Sequence, residues 1–257
     1  MPGPILSSLV RGAVFAPLEN GDRVEAVVQR LTDSIALGVL RGGEQLPAQR
    51  DLAAVLGVSL VTLRQSLARM EQQGLVETRR GHGGGSFIRY DAEVSSARAG
   101  DRLLRMSTYD LVDLADMQRS VYGEAAKLAA ERCAPGTVYR LLNDLDRLAQ
   151  STQSPDRSRG DGRFRIEVAA ASQSVRLTRT QMQLQAEVGD LRWLTARTPG
   201  EHLASDAEYH KDIVHSHREL VHAIGAGDGE RARTMTEDRV NRDLRRLLGL
   251  HRQILSG

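Results

Sequence analysis

A chain of 257 residues with 40% hydrophobic and 26% charged side chains has room for one large domain or two ordinary ones, and its composition is that of a globular protein. It is too long for a disulfide-stapled miniprotein, and no apolar run approaches the ~18 to 20 residues of a membrane span, so no membrane partner is expected. The formal charge of +2 is carried by residues 1–90, with 10 Arg against 8 acidic residues, while the remainder is balanced at 25 and 25. So small an excess argues only weakly for nucleic acid.

The single cysteine, Cys133, has no intramolecular partner, and the opening MPGPILSSLVRG lacks both a basic stretch and a sustained apolar core. A cytoplasmic location is therefore expected. Pro2, Pro4, Pro17 and Gly21 make residues 1–21 a tail. From Asp22, Val24, Val27, Val28, Leu31 and Ile35 recur at helical spacing, and Gly38 ends the pattern. After the turn-rich GVLRGGEQLP, a short helix is expected from Ala48 to Leu56 and is broken by Gly57. Ser59 is placed to cap a third helix, whose apolar stripe is Leu63, Leu67 and Met70 and which Gly74 stops. Leu75 to Thr78 and Ser86 to Ile88, joined by the glycine-rich tip at 81–85, read as a hairpin.

Beyond a linker at 91–101 only helical periodicity appears. Helices are expected over 108–131, 138–150, 163–193, 204–226 and 229–254, with polar loops at 151–162 and 198–200. The expected organisation is a tail (1–21), a winged helix-turn-helix (22–90), the linker (91–101) and an all-helical bundle (102–254), to which the family resemblance described below assigns effector binding and dimerisation. The fold class is mainly α.

Three helices and a hairpin in this order are the parts of a winged helix-turn-helix, whose third helix enters the major groove of DNA. Ser59, Leu60, Val61, Thr62, Arg64, Gln65 and Arg69 are the groove-facing candidates, with Arg64 the strongest for guanine because its rigid fork matches two acceptors at once.

Residues 23–90 resemble the DNA-binding domain of the GntR family of bacterial transcription regulators, most visibly in LPAQRDLAAVLGVSLVTLRQSLARMEQQGLVETRRGHGGG (46–85). The resemblance implies DNA contacts from Arg50, Arg64 and Thr62, and from the wing tip at His82 and Gly83. Leu60 departs from the pattern, since the family usually carries Arg directly after GVS, so one base contact is missing or is replaced by an apolar contact to a thymine methyl. Gly42 stands where the family often has Pro.

The remainder resembles the helical ligand-sensing (FCD) domain of the FadR-like subgroup, in AAKLAAERC (125–133), DGRF (161–164) and HRELVHAIGAGDGERA (217–232). Many members hold a divalent metal with one Asp and three His, and the metal helps grip a small carboxylate effector. Here Asp161 and His217 fall on two of those positions, while Arg165 and, by ungapped counting, Arg239 fall on the others. Arginine is no metal ligand at ordinary pH. No cofactor is therefore expected; a metal, if present, would rest on Asp161 and His217.

Two readings stay open. Arg165 and Arg239 replace the metal, binding an effector carboxylate or pairing with Asp161 and Asp238; or Asp161 and Arg165 form an ordinary helical ion pair. The histidines 202, 210, 215, 217 and 222 match no metal-binding signature, and Trp193, Tyr209 and Cys133 read as core.

The function expected is a ligand-responsive transcription regulator, not an enzyme, that binds a palindromic double-stranded DNA operator as a homodimer. It is expected to repress, with a small carboxylate as effector. The alternatives are an enzyme on the helical domain with an attached DNA-binding module, and an architectural DNA-binding protein without an effector.

Overall fold

The computed structural model describes residues 22–79, 81, 84–89, 91–197 and 205–256. The chain divides into two compact units that meet in sequence between Asp91 and Ala92.

In the first unit, α1 (Arg23–Ala36) starts where Asp22 Oδ1 accepts the amides of Val24 and Glu25, satisfying two donors that the helix itself leaves unpaired. Its buried face, Val27, Val28, Leu31 and Ile35, packs on α2 (Gln49–Leu56) and α3 (Leu60–Gln72) through Leu52, Leu56, Leu63, Leu67 and Met70. Gly57 ends α2 in the left-handed conformation (φ 67°), which a side chain would make costly, and the chain bends by 107° between α2 and α3.

β1 (Val76–Arg79) and β2 (Gly85–Ile88) pair antiparallel with Val76 opposite Ile88 and Arg79 opposite Gly85. The inward residues Val76 and Ile88 close the core under the hairpin. The other edge of β2 is covered by the segment before α2, through Leu46 N to Ser86 O (2.8 Å) and Ile88 N to Glu44 O (2.9 Å). This is the winged helix-turn-helix expected from the sequence.

The second unit is all-helical among its described residues: α4 (Ala92–Arg105), α5 (Thr108–Glu131), α6 (Thr137–Ala149), α7 (Ser154–Ala171), α8 (Val175–Arg197), α9 (Asp206–Gly225) and α10 (Gly229–Ser256). No single helix among the described residues is long and apolar enough to cross a membrane. The stretch read as a linker is helical, and α4 buries Ala99 and Leu103 against Val188, Leu191, Leu247 and Leu250. α5 and α9 open on complete capping boxes, Ser107 with Asp110 and Ser205 with Glu208.

Two expectations are overturned at the centre of this unit. The polar stretch 151–162 is not a loop through to Gly162, because α7 begins at Ser154 with Pro155 in its first turn. Its glycine at 160 lies where a Cβ would come within 2.8 Å of Leu148 Cδ1, so this glycine permits close packing on α6. The single helix expected over 163–193 is also interrupted. Gln173 adopts φ 58°, and the break is held by Ser172 Oγ donating to Ala169 O (2.6 Å) and by Arg132 Nη1 donating to Ser172 O (2.9 Å). The expected loop at 198–200 lies outside the described residues.

From Gly160 to Ala171 almost every residue of α7 is buried, so it is the central helix of the bundle. It packs on α5, α6, α8 and α9.

Candidate functional site

Two sets of residues carry chemistry, one in each unit. In the first, α3 divides its residues cleanly. Leu63, Ser66, Leu67 and Met70 face the core, with Ser66 Oγ donating to Val24 O on α1 (3.2 Å), while Val61, Arg64, Gln65 and Arg69 are exposed. Ser59 Oγ accepts the amide of Thr62 (3.0 Å) and contacts its hydroxyl at 2.8 Å, which fixes the first turn. Leu60 is half-buried beside it, and Val61 is 64% exposed, unusual for an aliphatic side chain and suited to meeting an apolar groove edge.

Arg64 Nε donates to Gln49 Oε1 across the turn (3.3 Å), so the guanidinium is oriented from α2, and Arg50 is exposed one residue further along α2. Arg69 differs: its Nη1 lies 2.7 Å from Glu25 Oε2 on α1, an exposed pair that ties α3 back to its own unit. In the wing, Arg79 lies over the Phe87 ring at 4.4 Å. His82 and Gly83 lie outside the described residues.

In the second unit the polar residues converge at depth. Asp161, on α7, is fully buried. Its Oδ1 accepts from Arg165 Nε (2.9 Å) and meets His217 Nε2 (2.8 Å); its Oδ2 accepts from Arg192 Nη2 (3.0 Å) and Trp193 Nε1 (3.4 Å). A second buried carboxylate, Asp243 on α10, accepts from Arg165 Nη2 (3.1 Å), Arg239 Nε (3.0 Å) and the Tyr209 hydroxyl (3.1 Å). Arg239 also bonds Asp212 at the edge of the cluster. Three guanidiniums, Arg165, Arg192 and Arg239, are therefore interior and share two interior carboxylates.

Burial opposes ionisation of Asp161, but Arg165, Arg192 and the His217 bond outweigh it and hold the carboxyl well below its usual value. Asp243, equally opposed by burial, is held down to about 2 by Arg239, Arg165 and Arg192. Burial pushes His217 down to about 4, a shift the bond to Asp161 only partly offsets, and Arg165 and Arg239 add to it. The imidazole is thus neutral at pH 7, stacked on Phe164 with ring centroids 4.1 Å apart.

The structure brings together all four effector candidates, Asp161, Arg165, His217 and Arg239. It corrects one partner: Asp238 is exposed, and Arg239 pairs with Asp243. Nor are Asp161 and Arg165 an ordinary surface pair, since both side chains are at 0% exposure. Tyr122, Gln185, Arg192 and Asp243 were not anticipated. The four-residue spacing that marked Asp161 and Arg165 also links Arg239 to Asp243, and would have found the last of them. Trp193 and Tyr209 are core residues that also bond the two carboxylates, and Cys133 is partly buried against the apolar core.

The divalent metal that the subgroup resemblance implies does not fit these residues. Beside Asp161 and His217 the other two positions hold guanidiniums, which bring positive charge and no lone pair. Among the described residues no three His, Cys, Asp or Glu are grouped to hold an ion.

Comparison with known proteins accounts for both units. The sequence model for bacterial regulatory proteins of the gntR family matches residues 23–86, and that of the FCD domain matches residues 113–242. A Mycobacterium gastri protein provisionally named an HTH-type transcriptional regulator, RmpR, is 31% identical over 91% of this chain and 84% of its own length. An Escherichia coli K12 protein provisionally named an L-lactate dehydrogenase operon regulatory protein is 30% identical over 84% of this chain and 80% of its own. The solved structure of E. coli McbR/YncC shares the fold at a TM-score of 0.50 and 18% identity, covering 91% of this chain and 98% of that one. With its winged helix-turn-helix and its FCD domain, the chain belongs to the GntR family of transcription regulators.

Proposed function

We propose that the protein represses transcription by binding a palindromic operator as a homodimer, and that a small organic acid bound in the helical unit releases it. The observation that carries the DNA-binding part is the division of α3, a capped helix whose core face is filled while Val61, Arg64 and Gln65 are exposed. Arg64, oriented by Gln49, reads guanine; Arg50 and Thr62 contact the backbone or base edges; and the wing tip at His82 and Gly83 reaches the minor groove. One short helix reads only a few base pairs, so two copies related by a two-fold axis supply the affinity and impose the palindrome. The place of action is then the cytoplasm.

The effector part is supported by the buried cluster, where Asp161, Arg165, His217 and Arg239 meet and three guanidiniums share Asp161 and Asp243. An anion bound there would favour one arrangement of the bundle over another and so change the fraction of protein able to engage both half-sites.

The test is recovery of genomic fragments by the purified protein at several salt concentrations, with Arg64→Ala as control. A short palindrome recovered only by the wild type is the expected result. Salt-sensitive binding with no shared site would overturn the operator reading in favour of an architectural role.

A further inference from the structure

The buried cluster leaves donors unused. Among the described residues, Arg165 Nη1, Arg192 Nε and Nη1, Gln185 Nε2, the Tyr122 hydroxyl and both polar atoms of the Gln181 amide are buried without a hydrogen-bond partner. Such vacancies are costly, and so many in one place call for an occupant. The groups adjoin one another. Gln185 Oε1 accepts from Arg192 Nη2 (2.7 Å), Arg165 lies 5.5 Å over the Tyr122 ring, and Gln181 stands one turn before Gln185 on the same face of α8.

Resting on the effector reading above, we propose that this centre is a metal-free receptor for a small hydroxycarboxylate, gripped by Arg165 and Arg192 where related domains use a metal, and read by Gln181, Gln185 and Tyr122.

The vacancies specify the ligand. Guanidinium N–H groups are donors only, so what meets them must accept, and two converging positive charges favour an anion. A cation is disfavoured because Asp161 and Asp243 already have their oxygens engaged by arginine, histidine, tryptophan and tyrosine. Gln181 demands more. Its carbonyl needs a donor while its amide needs an acceptor, and a ligand hydroxyl is both at once. A carboxylate lacking the hydroxyl leaves that amide unsatisfied, so the site discriminates between an acid and its deoxy counterpart.

Gln181 also provides a clean variant. Neither of its polar atoms bonds the protein, so Gln181→Met removes an amide without removing a hydrogen bond. Full-length protein, stripped with chelator, would be titrated calorimetrically with glycolate, glycerate and malate, and with acetate, propionate and succinate as partners lacking the hydroxyl. At least one hydroxyacid should bind tenfold or more tightly than its partner. Gln181→Met should abolish that tenfold preference, Arg192→Gln should abolish binding of both, and added zinc should change neither affinity.

Three outcomes overturn the proposal: hydroxyacid binding unaffected in both variants, binding that vanishes on chelation and returns with zinc, or no anion bound while Gln181→Met raises the melting temperature, which would mean that water fills the vacancies. Operator binding measured without ligand on the same preparations separates these failures from failure of the regulator reading. It should survive in both variants whichever result the anions give.

Discussion

The His217 imidazole and the Asp161 carboxylate meet at 2.8 Å inside the helical bundle, and the imidazole stays neutral there. Burial has moved His217 from an ordinary value near 6.5 to about 4, so the unfolded chain takes up the proton first. The stability this contributes is complete above about pH 6.5 and is lost as the pH falls toward 4, at up to about 1.4 kcal/mol per unit. His217→Gln should flatten that part of the curve. Urea unfolding at half-unit steps from pH 7 to 4 would show it, and equal slopes in variant and wild type would remove His217 as the cause. His210, whose pKa burial also lowers, remains in the variant and leaves a residual slope of the same sign.

Removing Asp161 should be worse than removing Arg165. Without Asp161, Arg192 keeps Asp243 at 3.8 Å as its ionic partner, and Arg165 loses one of two. Breaking buried ion pairs in this way costs about 3 to 5 kcal/mol, the loss expected for Asp161→Ala. In Arg165→Met, Asp161 retains Arg192 and His217, and Asp243 retains Arg239 and Tyr209. Denaturant midpoints of the two variants at pH 7 give the comparison; a larger loss in Arg165→Met would reverse the assignment of Asp161 as the hub.

Arg64→Ala should lose about 1 to 3 kcal/mol of specific operator binding and relax the sequence requirement at one position. Arg69→Ala should lose less, because in the free protein its guanidinium is held by Glu25. Fluorescence anisotropy against a set of single-base operator variants distinguishes the two. A uniform loss over all sequences for Arg64→Ala would make it a phosphate contact.

The turn between α2 and α3 allows a backbone test. Gly57 sits at φ 67°, and Gly57→Ala should destabilise the first unit by about 1 to 2 kcal/mol. Hydrogen exchange would find that loss in residues 22–91 and leave α5 to α10 unchanged; loss spread equally over both units would contradict it.

The first unit was legible because its signals are local. Asp22 and Ser59 cap, Gly57 turns, and three-and-four spacing marks the stripes of α1 and α3, so element ends fall within a residue or two of expectation. The core of the second unit was not. In α7 the usual meaning of polarity is inverted: Ser158, Asp161 and Arg165 are interior, so a stretch rich in polar residues and glycine read as a loop. No glycine or proline marks the α7–α8 break, only Ser172 bonded to the Ala169 carbonyl and Gln173 in the left-handed region, so the sequence reads through it. Arg192 pairs with Asp161 thirty-one residues away and only the folded bundle brings them together, whereas Asp243 carries a local signal in its four-residue spacing from Arg239.

α7 has almost no side facing solvent from Gly160 onward, and its one cationic side chain in that cluster, Arg165, reaches Asp243 on α10. A helix enclosed in this way has no free surface along which to slide. A displacement of Asp161 or Arg165 pushes on α5, α6, α8 and α9 together and pulls on α10 through the ion pair. The bundle therefore resembles a keyed lock barrel, in which a pin cannot shift without meeting every neighbouring helix.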